Sequence, residues 1–163
     1  AKKRLGGGVI LTLIHEIDYL YWLFGPFKSI NSIGGKITNL DINVEDTVCS
    51  NIKTKNNVSI LLRTDYWRKP PTRTLNIIGE KGHIDWDYFN KELKITDRNG
   101  KNLIRKKIKL NNNHNYLNII KHFIYCIEKD KLPKVPLAEG IYTLKVALAI
   151  KKSINSSKNI LIK

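Results

Sequence analysis

The side chains best suited to proton transfer lie in one short stretch near the N-terminus. His15, Asp18 and Tyr19 are three and four residues apart, so on an α-helix they share one face. The pKa of a free histidine is about 6.5, which suits a group that takes or gives a proton close to neutral pH. Asp18 could orient that ring or bind a hydroxyl group, or it could be a solvated helical carboxylate. A lone histidine beside an apolar helix face is also often structural.

The element that must position these side chains is a helix over residues 10–24. Its apolar residues recur every three or four positions, and Gly25-Pro26 ends the pattern. Before it, Gly6-Gly7-Gly8 can adopt backbone conformations closed to other residues and lets another group approach closely. The run lacks the Gly-Lys-Ser/Thr ending of a nucleotide-binding P-loop. Arg4 is close enough in sequence to reach a ligand at the helix start, whereas a frayed, charged terminus is the better interpretation for Lys2 and Lys3.

The rest of the chain alternates between strand-like and helical patterns. Short strands with tight turns predict an antiparallel sheet, and two further helical stretches follow it. We therefore predict an α+β fold with a single, mostly antiparallel sheet and helices packed on one face, in one domain of 163 residues. The predicted strands are residues 29–37, 47–53, 58–66, 74–78, 83–87, 93–96, 103–109 and 159–162, and the later helices are residues 116–127 and 137–153.

Composition narrows the class of protein. The formal charge is +15 and the pI about 9.8, but the lysines are spread along the chain, so a solvated basic surface competes with a polyanion site. Cys49 and Cys126 are isolated, which favours a reducing compartment. No apolar stretch is long enough to cross a membrane and no signal peptide is evident, so we predict a cytoplasmic protein without membrane contact. The histidines and cysteines show no metal-ligand spacing, so no metal site is predicted.

A second glycine signal raises a nucleic-acid alternative. Gly79-Glu80-Lys81-Gly82 resembles the GXXG loop with which KH domains clamp single-stranded nucleic acid, and the basic surface would support that use. A KH loop joins two helices, however. Pro70-Pro71 opposes a helix upstream, and both flanks alternate like strands, which favours a hairpin turn.

The motifs together resemble one family. The glycine run followed by His15 and Asp18, with Val44-Glu45-Asp46-Thr47, Asp65-Tyr66 and Arg68-Lys69-Pro70-Pro71 downstream, is similar to the C-terminal half of the glucose–fructose oxidoreductase/inositol dehydrogenase family. The resemblance implies a fold like the C-terminal domain of dihydrodipicolinate reductase. Because no strand is followed by G-x-G-x-x-G, residues 1–163 would be a substrate-binding and oligomerisation domain, with the N-terminal Rossmann cofactor domain absent from this chain.

The resemblance also implies an activity. The full-length enzyme would transfer hydride between NAD or NADP and a hydroxyl or carbonyl of a sugar, inositol or sugar nucleotide, with His15 as general acid/base. Arg4, Asp18 and Tyr19 would contact the substrate. The chain alone would bind no cofactor and be inactive; its partners would be the missing Rossmann domain, a sugar-type substrate and a second copy through the open sheet face, not nucleic acid.

One departure from the family lies just before the histidine. Many members carry an aspartate four residues earlier, where this chain has Leu11, with Thr12 next to it. The proton relay of those members therefore does not transfer directly. The family's catalytic lysine belongs to the cofactor domain.

Overall fold

The computed structural model describes residues 1–108 and 112–163, which divide into two compact units. Unit 1 combines residues 1–67 and 134–163, and unit 2 is the stretch between them, residues 68–133. One turn of 3₁₀ helix at Lys3–Leu5 precedes the helices α1 (Val9–Thr12), α2 (Ile14–Phe24), α3 (Asn112–Glu128) and α4 (Leu137–Ser156). The strands are β1 (Phe27–Gly35), β2 (Thr47–Thr54), β3 (Ser59–Asp65), β4 (Thr74–Gly79), β5 (Gly82–Asp87), β6 (Glu92–Asp97), β7 (Asn102–Lys107) and β8 (Ile160–Leu161).

The α+β class and the antiparallel pairing are confirmed. The described strands form two four-stranded sheets, ordered β3-β2-β1-β8 and β4-β5-β6-β7, in which every neighbouring pair is antiparallel. The sequence predicted one sheet. Pro70 and Pro71 lie in the connection between β3 and β4. Because proline has no N–H to donate to a strand ladder, this connection cannot extend the first sheet, and β4 begins a second one.

Unit 1 buries one face of its sheet beneath helices. The alternation predicted for β3 is confirmed, since Ile60 and Leu62 are buried while Leu61 is 86% exposed. Helix α4 packs on β1, and α2 packs on α4. The best-buried apolar side chains of this core are Val9, Ile10, Ile17, Leu20, Phe27, Ile30, Val48, Ile52, Val146, Ala147 and Ile150.

The helix predicted over residues 10–24 is divided at Leu13, where φ is −100° and ψ is 29°. Helix α1 contacts β2, β3 and α4, whereas α2 packs along α4. The break lets α1 reach β2 and β3 while α2 follows α4, and hydrophobic periodicity cannot show it because both pieces keep helical spacing. The predicted end is confirmed: Gly25 has φ 75° and its N–H bonds the Tyr21 carbonyl at 2.8 Å.

Unit 2 is a four-stranded meander joined to α3. The predicted hairpin between β6 and β7 is confirmed, with Asp97 Oδ1 accepting the N–H groups of Asn99 and Lys101 at 2.9 Å each. Strand β7 ends at Lys107, and residue 109, the predicted end of that strand, lies outside the described residues. The amphipathic stretch 116–127 lies within α3. Across residues 1–108 and 112–163, no helix has the length and apolar character that a membrane crossing requires.

Candidate functional site

The imidazole of His15 forms the accessible end of a cluster of three polar side chains on α2. Its side chain is 49% exposed, whereas that of Glu16 is only 11% exposed. His15 Nε2 lies 3.1 Å from Glu16 Oε1, and the Tyr19 hydroxyl donates to Glu16 Oε2 at 2.6 Å. Both carboxylate oxygens of Glu16 are therefore engaged, one by each neighbour. A proton-transfer group thus reaches solvent while a mostly buried acid holds it.

The other predicted site residues have different surroundings. Tyr19 is linked to His15 through Glu16, but the Asp18 carboxylate turns to α4, where it lies 3.2 Å from the Thr143 hydroxyl oxygen. That hydroxyl also lies 3.0 Å from the Glu139 carbonyl, so its single proton is shared between two acceptors. Asp18 therefore helps to join α2 to α4. Its predicted contact with substrate stays a prediction.

Arg4 lies on the 3₁₀ turn at Lys3–Leu5 and is exposed. That turn is anchored by the Lys3 N–H, which donates to Asn43 Oδ1 at 2.8 Å, and it ends at Gly6 in the left-handed conformation (φ 69°). The guanidinium is thus displayed at the surface of unit 1. Substrate binding by Arg4 remains a prediction.

As predicted, the glycine run lets another group approach its backbone closely. That group is a side chain of the protein itself, not a ligand. Gly8 has φ 126°, and a Cβ there would collide with the carboxylate of Glu45. The Val9 N–H donates to the Glu45 carbonyl at 3.0 Å, and Lys151 Nζ lies 3.0 Å from each oxygen of the same carboxylate. The run therefore positions an ion pair between Glu45 and α4 at the start of α1.

A second hydroxyl pair lies at the end of α1. Thr12 Oγ1 and the Tyr66 hydroxyl are 2.5 Å apart, and the Tyr66 N–H donates to the Asp46 carbonyl at 3.0 Å. This pair fixes the residue after β3 to the helix before the break at Leu13. The resemblance pointed to Asp65-Tyr66, and Thr12 was noted only as the neighbour of Leu11, so a contact between Tyr66 and Thr12 across 54 positions was not predicted. No local signal in the sequence joins them.

Asp46 is fully buried and supports this corner. Its carboxylate accepts the N–H groups of Ile37 at 3.0 Å and Thr38 at 2.9 Å, and the Thr38 hydroxyl at 2.8 Å. Burial would raise the pKa of this carboxyl. The hydrogen bonds from Ile37, Thr38 and the Thr47 side chain outweigh that cost and lower the pKa from 3.8 to about 2. Asp46 is therefore an ionised structural acid.

The KH alternative is wrong. Gly79 is the last residue of β4 and Gly82 the first of β5, and the two are paired across the hairpin. A KH loop requires helices on both sides, whereas this turn connects two strands. Gly82 has φ 151° and a Cβ there would collide with the backbone of β6. Close packing of the strands therefore explains why residue 82 is glycine.

One face of the unit 2 sheet is polar, and several of its side chains bond one another. A shallow depression of about 320 Å³ lies on this face. Arg105 donates to Glu92 and holds the pKa of that carboxyl below its usual value, while Asn76 donates to Asp85 at 2.7 Å. Among the residues that the structure describes, no group of three or more His, Cys, Asp or Glu side chains could hold a metal ion. We assign no ligand to this face.

Comparison with known families identifies a match over almost the whole chain. The family model described as "Oxidoreductase family, C-terminal alpha/beta domain" matches residues 1–162. No curated protein matches the chain significantly.

Solved structures show the same fold at low sequence identity. The WlbA dehydrogenase from Bordetella pertussis, solved with NADH and UDP-GlcNAcA, has a TM-score of 0.75 and 20% identity, covering 96% of this chain and 48% of its own. UDP-N-acetylglucosamine 3-dehydrogenase GnnA from Acidithiobacillus ferrooxidans gives 0.77 and 18%, with coverages of 93% and 48%. Levoglucosan dehydrogenase, solved with NADH and levoglucosan, gives 0.84 and 16%, with coverages of 96% and 51%. The chain therefore spans about half the length of these proteins.

Proposed function

Because the chain belongs to the C-terminal α/β domain of the glucose–fructose oxidoreductase/inositol dehydrogenase family of oxidoreductases, we propose that it is the substrate-side half of an NAD(P)-dependent enzyme. The substrate is a sugar, inositol or sugar nucleotide whose hydroxyl is oxidised or whose carbonyl is reduced. Support for this substrate class comes from the matched structures, which hold levoglucosan in one case and UDP-GlcNAcA in another. Support for the cofactor comes from the NADH in the same two structures.

In this proposal His15 is the general acid/base. The observation that carries it is the half-exposed imidazole on α2, supported from behind by the mostly buried Glu16. Oxidation of a hydroxyl requires a group that accepts its proton, and the neutral ring has a free nitrogen lone pair for that purpose. In the reverse direction the protonated ring returns the proton to the carbonyl oxygen. Arg4, Asp18 and Tyr19 are assigned to substrate binding around it.

The described residues do not fit a dinucleotide cofactor. A pyrophosphate site of the Rossmann type needs parallel strands joined through a glycine-rich turn at a helix N-terminus, and every strand pair described here is antiparallel. NAD(P), when bound to the enzyme, supplies the hydride acceptor or donor. We therefore assign the cofactor to a Rossmann domain outside these 163 residues and predict that the chain alone binds no NAD(P) and is inactive.

The test uses the full-length protein. A screen of sugars, inositols and sugar nucleotides with NAD and NADP identifies the substrate, after which His15→Asn should lower kcat by roughly a hundred- to ten-thousand-fold, the usual loss for a general base. Cofactor affinity and the unfolding midpoint should change little, since the ring is half exposed and its loss opens no core cavity. His114→Asn, at an exposed position on α3, is the matched control and should keep full turnover. Near-normal turnover in the His15 variant would refute the assignment.

We also propose that two copies associate through the outer face of the β3-β2-β1-β8 sheet, the face opposite α4. Ile33 and Leu61 are 71% and 86% exposed there, beside the exposed Cys49. These side chains line a shallow depression of about 280 Å³ with Asn31, Asn51 and Arg63. Burying exposed apolar side chains between two sheets would favour a homodimer.

A further inference from the structure

We propose that Glu16 is the positioning residue for His15 and that it selects Nδ1 as the ring nitrogen that exchanges a proton with the substrate. The inference rests on the proposed function, because it takes His15 to be the acid/base. It goes further by naming the partner that orients the ring and the atom that reacts.

The ring nitrogen follows from the chemistry of the two groups in contact. Glu16 Oε1 lies 3.1 Å from His15 Nε2. An ionised carboxylate offers no proton, and a lone pair on Nε2 would be repelled by Oε1 at this distance, so we place the proton of the neutral ring on Nε2. Neutral imidazole carries one proton on its two nitrogens, and Nδ1 is therefore left with the free lone pair. After Nδ1 has taken a proton, both nitrogens are donors and the cation faces the Glu16 carboxylate.

Glu16 is itself held in place, which a positioning role requires. The residue is only 8% exposed, although it neighbours the half-exposed His15 in sequence. Its second oxygen, Oε2, accepts the Tyr19 hydroxyl at 2.6 Å, a distance typical of a hydroxyl bonded to a charged oxygen. With one oxygen fixed by Tyr19, the carboxylate has little freedom to turn away from the ring. Tyr19 thus contributes through Glu16.

The position of Glu16 in the chain explains why it takes this role here. Residue 11, four positions before the histidine, is leucine and cannot accept a hydrogen bond. Leu11 also lies in α1, on the other side of the break at Leu13 from the histidine. The carboxylate that contacts the ring comes instead from within α2, one residue after His15.

The first test is a double-mutant cycle in the full-length enzyme. Glu16→Gln keeps the shape but removes the charge, and we expect kcat to fall roughly ten- to a hundred-fold with KM little changed. In a His15→Asn background the same change should lower kcat much less, because the part of its effect that passes through the ring is already lost. Glu45→Gln is the matched control, since its side chain is equally exposed, at 11%, and also ion-paired. It should change kcat by less than about threefold, since it contacts Lys151 and not the ring.

The second test measures by NMR which nitrogen of the His15 ring carries the proton. Nitrogen-15 chemical shifts of histidine-labelled full-length enzyme, assigned with the His15 variant, should show the Nε2–H tautomer in the wild type. Glu16→Met removes the acceptor with little change in volume and should lower the fraction of the ring in the Nε2–H tautomer to that of a free histidine. This variant also replaces a mostly buried carboxylate with an apolar side chain, so it is expected to fold.

The outcomes separate the two proposals. If His15→Asn keeps its turnover, both the proposed function and this inference are overturned. If His15→Asn loses activity but Glu16→Gln lowers kcat equally in both backgrounds, only the role of Glu16 is overturned. A wild-type ring in the Nδ1–H form would overturn the choice of reacting nitrogen. Loss of activity with coupling in the cycle and an Nε2–H ring would support the whole proposal.

Discussion

Replacing Gly8 with alanine should be among the most damaging small changes in unit 1. The substitution adds one methyl group at a residue whose φ is 126°, and that group would collide with the Glu45 carboxylate. A non-glycine residue held in such a conformation costs about 1–3 kcal/mol. Displacing Glu45 also separates it from Lys151, its partner at 3.0 Å, and leaving a mostly buried charged group without its bond costs about 1–3 kcal/mol more.

Alanine substitutions at two other glycines separate the cost of backbone strain from the cost of displacing Glu45. Gly35 has φ 146° but open space where its Cβ would lie, so Gly35→Ala should show the backbone cost alone, about 1–3 kcal/mol. Gly140, within α4, also has open space and no unusual φ, so Gly140→Ala should stabilise by about 0.5–1 kcal/mol through helix propensity. Urea unfolding followed by tryptophan fluorescence ranks the three. If Gly8→Ala lowers the free energy of unfolding no more than Gly35→Ala does, the collision with Glu45 is refuted.

Two further predictions concern charge. Asp46 has a folded-state pKa of about 2, below the ordinary 3.8, so its stabilising contribution is complete above pH 3.8 and is lost as the pH falls towards 2. The stability difference between wild type and Asp46→Asn should therefore shrink over that window in acid unfolding, and a constant difference would contradict it. Leu61→Asp should turn the proposed dimer into a monomer in sedimentation at tens of micromolar, whereas Asn99→Asp, which adds the same charge in the β6–β7 turn, should not. With a formal charge of +15 on each copy, dimerisation should strengthen as salt rises, and a monomeric wild type would refute the interface.

Alternating hydrophobicity and turn residues predicted most of the strands, because both depend only on residues close together in the sequence. Buried Ile60 and Leu62 flank exposed Leu61 as the period of two requires, and the turn before β7 forms around Asp97. The number of sheets was not predictable in the same way. It depends on which strands pair after the prolines at 70 and 71, and pairing between distant strands leaves no signature in either strand alone.

The candidate site was predicted in part. Helical spacing grouped His15 with Asp18 and Tyr19, yet the closest partner of the ring is Glu16, its immediate neighbour. Spacing rules select residues three and four apart, so they pass over a contact between successive side chains. Asp18 has the expected spacing but turns to Thr143 on α4, which no pattern within α2 could reveal. The glycine run predicted that some group approaches the backbone closely, but it did not identify that group as Glu45. Glu45 lies 37 residues after Gly8 in the chain.

The discontinuous chain path of unit 1 sets the order in which a ribosome can complete it. Strand β1 contributes Ile30 to the core and α4 contributes Ile150, and 120 residues (150 − 30) separate them. At about 5–20 residues per second, synthesis must continue for roughly 6–24 s after Ile30 is made before its covering helix exists. All of unit 2 is translated in that interval, and its strands pair only with immediate neighbours in sequence. Until then the nascent β1–β3 meander lacks α4 over the buried face of β1, and a chaperone would have the most apolar surface to protect in this period.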